Sequence, residues 1–70
     1  MYLHEIYTES SSAARYIAKT IGGDIQSYSI APDRDMHIVT TRKRYGHEKM
    51  ISNLNSINVN YEEVITYNKL

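Results

Sequence analysis

Hydrophobic positions recur along this chain at two different periods, and the changes of period mark its elements. Tyr2 to Thr8 is rich in aromatic and β-branched residues and carries no breaker, which predicts a strand over 2–8. Ala14, Ile17, Ala18 and Ile21 then fall on one helical stripe with Arg15 and Lys19 opposite, predicting a helix over about 11–21. Ser10-Ser11-Ser12 offers hydroxyls to cap its first free N–H groups, and Gly22-Gly23 ends it. A second strand is expected over 24–30, with Ile25, Tyr28 and Ile30 as its larger apolar residues. Ala31-Pro32-Asp33-Arg34-Asp35 reads as a turn into a third strand over 36–41, the two strands forming an antiparallel hairpin. His47, Met50, Ile51, Leu54 and Ile57 share one face of a second helix over 47–57, opened by Gly46 and stopped by Asn58. The last strand is expected over 59–67, with its pattern broken at Glu62-Glu63, and Asn68-Lys69-Leu70 forms a tail.

The order β-α-β-β-α-β, joined by right-handed crossovers, places strands one and three in the centre and strands two and four at the edges. The expected fold is therefore α+β: a single small domain on the ferredoxin-like plan, one four-stranded antiparallel sheet with both helices on one face. A three-stranded sheet is the alternative if the last strand is irregular. Helices on one face leave the other open. Burying Glu5 would cost more than burying neutral His4, so His4, Ile6, Met36 and Ile38 are expected inward. Leu3, Glu5, Tyr7, His37, Val39 and Thr41 are then expected on the open face. Tyr61, Ile65 and Tyr67 mark the last strand as an unprotected edge.

Composition narrows the function classes. At 70 residues the chain has room for one domain and no large cleft, and such a domain buries only about 60% of its unfolded surface. Cysteine is absent, which excludes a disulfide framework, a thiolate zinc site and a cysteine nucleophile. No signal peptide opens the chain and no apolar run approaches a membrane span, so a cytoplasmic location with no membrane partner is expected. Ile, Tyr, Asn and Lys together make 25 of the 70 residues. Their AT-rich codons, in a reading frame that opens at Met1, point to a bacteriophage or mobile-element accessory gene.

No catalytic, metal or cofactor constellation emerges. His4 and His37 are expected on opposite sheet faces, and no H-x-x-x-H spacing exists. Asp33/Asp35 and Glu62/Glu63 are neighbouring carboxylates without the environments that push two pKa values apart, and Asp33-Arg34-Asp35 lacks the glycine and terminal Glu of a calcium loop. Ser11 has no base or orienting group, and the serine run has no glycine-rich approach or phosphate-binding lysine. The middle of strand three, His37-Ile38-Val39-Thr40, has no aromatic and no Lys/Arg-Gly-Phe/Tyr motif occurs, so the base-stacking pattern of RNA-recognition domains built on this plan is missing, and Thr8-Glu9-Ser10 does not supply an acylphosphatase-like anion cradle.

Arg42, Lys43, Arg44, Tyr45 and Lys49 form the most basic segment, with Arg34 near if the loops converge, but the whole chain carries a formal net charge of zero. The leading expectation is a non-enzymatic accessory protein that modulates a host or phage macromolecule by protein–protein interaction, through the open face and edge, with self-association as a homodimer or other homo-oligomer. The alternative is a small nucleic-acid-binding regulator using the basic segment.

Overall fold

A computed structural model describes residues 1–68. Its elements are β1 (Tyr2–Thr8), α1 (Ser11–Thr20), β2 (Asp24–Ala31), β3 (Arg34–Lys43), α2 (His47–Ser56) and β4 (Glu63–Asn68). The sheet order is β2-β3-β1-β4 with every neighbouring pair antiparallel. This is the ferredoxin-like α+β plan that the element order predicts, with four strands rather than three.

Local chemistry explains the boundaries. Ser10 caps α1, its hydroxyl accepting from the Ala13 N–H at 3.1 Å. Gly23 sits at φ +135°, where a Cβ would meet the Thr40 carbonyl oxygen at 2.6 Å, so only glycine fits this return to the sheet. Gly46 opens α2 without a side-chain cap, and Asn58 closes it at φ 58°.

The hairpin is tighter than expected. Ala31 pairs with Arg34, so the turn is Pro32-Asp33 alone, with a register irregularity between Ser29 and Ala31. The third strand accordingly runs well beyond the expected 36–41 at both ends. The last strand is shorter than 59–67: residues 59–62 precede it as irregular chain, where the Glu62 N–H bonds the Tyr7 carbonyl at 2.7 Å. Glu63 is where the β pattern resumes. Of the expected tail, Asn68 belongs to β4 and Lys69-Leu70 lie outside the described residues.

The core is Ile6, Ala14, Ile17, Val39, Met50 and Leu54, with Ile21, Tyr45, Ile57, Val59, Tyr61 and Val64 packed against it. Both helical stripes are thus inward as expected, save that His47, at the head of α2, is exposed. On β1, His4, Ile6 and Thr8 are buried. On β3 the expected alternation is inverted. Val39 is fully buried and Thr41 nearly so, while Met36 and Ile38 lie on the open face. The cause is register. Ile6 pairs with Val39, His4 with Thr41 and Thr8 with His37, and cross-strand partners share a face. Keeping Glu5 out of the core therefore carries Val39, Thr41 and His37 to the helix side. His4 and His37 consequently share a face, but four residues of β3 separate their pairing positions, about 13 Å along the strand.

Candidate binding face

The register builds the uncovered face in rows. Tyr28 lies beside Met36. The next row runs Gln26, Ile38, Tyr7, Glu63; the next Asp24, Thr40, Glu5, Ile65; the last Arg42, Leu3, Tyr67. Leu3, Glu5 and Tyr7 are on the open face as expected; His37, Val39 and Thr41 are replaced there by Met36, Ile38 and Thr40. Tyr67 is there too, 40% exposed, whereas Tyr61 lies outside β4 and packs on the core. Sequence reading missed Met36, Ile38 and Tyr28; the signal that finds them is the pairing of β3 with β1, which alternation alone does not reveal.

Glu5 lies in the middle of this face. Its Oε1 accepts from the Tyr7 hydroxyl at 3.0 Å and from the Tyr67 hydroxyl at 3.3 Å. Burial and the hydrogen bond to Glu5 push the Tyr7 phenol up to about 12, so it remains a donor throughout the physiological range. The Glu5 charge likewise raises Tyr67. The rows hold three carboxylates (Asp24, Glu5, Glu63) against one guanidinium (Arg42), so the face is acidic. Around Glu5 the half-buried side chains of Leu3, Tyr7, Ile38 and Ile65 are apolar over much of their surface.

The basic segment does not form one patch. Arg42 points to the open face beside Leu3. Lys43 belongs to the opposite face and donates to the Ile21 carbonyl at 2.6 Å, where a cation complements the C-terminus of α1. Tyr45 is packed against the core, leaving Arg44 and Lys49 exposed. Arg34 lies at the far end of β3 in a bidentate pair with Glu9, at 3.0 and 2.7 Å. That pairing holds Glu9 below the usual carboxylate range and raises Arg34.

The structure also joins four residues that sequence reading did not connect. His4 Nε2 is 2.9 Å from the Tyr45 carbonyl, and His4 Nδ1 is 2.9 Å from Thr66 Oγ1, which lies 3.0 Å from His47 Nδ1. A carbonyl only accepts, so Nε2 carries the proton; Thr66 then donates to Nδ1 and accepts from His47. Burial is the main cause holding His4 below its ordinary pKa. With a hydroxyl, an imidazole and an orienting carbonyl in series, this chain has the outline of a nucleophile and base. An open depression of about 290 Å³, lined by Thr20, Ile21, Lys43, Tyr45, Asn53, Ser56 and Ile57, touches this series at Tyr45 and does not reach Thr66. The network instead satisfies a buried polar side chain: among the described residues no buried side-chain nitrogen or oxygen lacks a partner.

Asp33 is in the hairpin turn and Asp35 is the second residue of β3, both exposed. Glu62 accepts from the Glu9 N–H at 2.7 Å, while Glu63 is exposed on β4. Among the described residues no group of three or more His, Asp or Glu side chains is placed to hold a metal ion, and no helix is long and apolar enough to cross a membrane. The fold and face thus define a small α+β domain with an uncovered, acidic and partly apolar sheet. Comparison with family models, with curated proteins and with solved structures gives no match.

Proposed function

We propose that this chain is a non-enzymatic binding protein that holds a protein partner on its open sheet face. The observation that carries this reading is the apolar ring of Leu3, Tyr7, Ile38 and Ile65 around the central Glu5. Apolar surface supplies association energy in proportion to its area, and tyrosines with a charged centre supply specificity. The acidic balance of the face fits a partner surface that presents a basic side chain among apolar ones. It disfavours nucleic acid, whose binding is dominated by phosphate neutralisation, and Lys43 is already committed to the end of α1. The share of Ile, Tyr, Asn and Lys, residues whose codons are AT-rich, supports a phage or mobile-element accessory role, in which the partner is a host or phage macromolecule in the host cytoplasm.

The test is affinity capture from bacterial lysate with and without nuclease, using wild type, Ile38→Lys, Glu5→Lys and the pair Arg44→Glu/Lys49→Glu. A nuclease-resistant partner, retained by the basic-segment variant and lost by both face variants while their circular dichroism is unchanged, supports the reading. A nuclease-sensitive partner lost by Arg44→Glu/Lys49→Glu and retained by the face variants replaces it with the nucleic-acid alternative.

A further inference from the structure

An antiparallel sheet must end somewhere, and the two ends of this one are unlike. β4 is six residues long, opens with a carboxylate and is half-buried through Val64, Ile65 and Thr66. β2 is eight residues long, and all but its last residue are exposed. After Asp24 it carries no charge and no proline, and the one device that blunts an edge here is the register irregularity between Ser29 and Ala31, which leaves Ile25–Ser29 regular. Six large apolar side chains are prominently exposed among the described residues, and three of them, Ile25, Tyr28 and Ile30, belong to this one strand. β2 pairs with β3 alone, so alternate N–H and C=O groups along its outer side point away from the sheet.

We infer that β2 is a self-pairing edge, and that a second copy of this chain adds its own β2 to it antiparallel, making one continuous eight-stranded sheet. Charge selects that orientation. A parallel arrangement would set the two Asp24 carboxylates side by side. Antiparallel pairing about the Ser27–Tyr28 stretch sends them to opposite ends of the ladder, about 20 Å or more apart. A two-fold axis normal to the sheet keeps the two open faces on the same side. It brings Tyr28 opposite either its own copy or Gln26 of that copy, and the outward backbone groups are then satisfied over most of the strand. The site is distinct from the apolar ring around Glu5, so self-pairing stands whether or not that ring holds a partner.

Sedimentation equilibrium on the purified chain tests this, with Gln26→Lys/Tyr28→Lys as the disrupting variant and Gln26→Glu/Tyr28→Glu as its complement. Either antiparallel register places like charges opposite one another in each variant alone and unlike charges in their mixture. The expected results are a wild type of twice the chain mass at high concentration, monomers for each variant with unchanged circular dichroism, and dimers restored on mixing the two. Ile38→Lys should leave the dimer intact, which separates this edge from the open face. A wild type that stays monomeric at submillimolar concentration overturns the inference, as does a dimer that both variants retain. Should the variants unfold, amide hydrogen exchange on wild type decides. Alternate amides of β2 must gain protection as concentration rises, and a concentration-dependent gain confined to any other element refutes self-pairing through β2.

Discussion

Val39 and Ile38 are neighbours in sequence and opposites in environment, and substituting each tests the sheet register directly. Val39 is fully buried between Ile6 and the helices, while Ile38 is half-covered on the open face. Val39→Ala removes two methyl groups at about 0.8 kcal/mol each and leaves a small cavity, a cost of about 2 kcal/mol. A chain of this length has about 4–10 kcal/mol of total stability, and for so small a domain each kcal/mol shifts Tm by roughly 4–8 °C. Val39→Ala should therefore melt about 8–16 °C below wild type, followed by circular dichroism at 222 nm. Ile38→Ala should cost under about 1 kcal/mol, because its side chain has solvent on one side in the native state. Val39→Lys should fail to fold: burying an unpaired ammonium costs several kcal/mol beyond the lost packing. Ile38→Lys should fold. If Ile38→Ala costs as much as Val39→Ala, or Val39→Lys folds with native stability, the register that pairs Ile6 with Val39 is wrong.

Three further outcomes follow from the same geometry. His4 is buried with its pKa held below the ordinary value, so the unfolded chain binds a proton there before the folded one does. Its contribution is complete above about pH 6.5 and is lost as pH falls through the folded value, so Tm should drop between pH 7 and 5, and a His4→Gln variant should show a flatter profile over that range. Glu5→Gln removes the charge that helps hold Tyr7 up to about 12 and raises Tyr67; ultraviolet titration should show two tyrosines ionising at lower pH than in wild type, and an unchanged titration curve would deny the bonds from Tyr7 and Tyr67 to Glu5. Gly23→Ala should destabilise by more than about 1 kcal/mol in urea unfolding, because φ is positive there and a Cβ meets the Thr40 carbonyl; a neutral effect would place the α1–β2 return elsewhere.

Element type and order were legible in the sequence because each helix carries its own stripe and its own stop, and those are local properties. Ile17 and Leu54 are buried where the 3.6-residue period puts them, and Gly22 and Asn58 adopt positive φ where a helix must end. Which face of β3 is inward was not legible. Met36-His37-Ile38-Val39-Thr40-Thr41 places apolar groups on both parities, Met36 and Ile38 on one and Val39 on the other, so the stretch itself does not say which faces the helices. The deciding constraint is non-local: Glu5 sits on β1, and its exclusion from the core reaches β3 only through a pairing that no property of β3 encodes. The tie between Lys43 and the end of α1 was hidden for the same reason, since the sequence shows a run of cations and the fold decides which cation meets which carbonyl.

The same coupling explains why His4 tolerates burial. A polar residue on a central strand of so small a core needs both ring nitrogens satisfied, and no single neighbouring element supplies both partners. Here the joint before α2 provides the Tyr45 carbonyl and β4 provides the Thr66 hydroxyl, with His47 at the head of α2 completing the chain. The rings of Tyr2 and Tyr45 lie 6.3 and 5.7 Å from the His4 ring. The bonds from His4 thus fasten β1 to β4 and to the β3–α2 joint. Those tethers lie on the covered side of the sheet, opposite the apolar ring, so the open face is held in shape from beneath by interactions that take none of its own side chains. If the proposed partner binds there, a face held in this way would lose less freedom on association than an unsupported one.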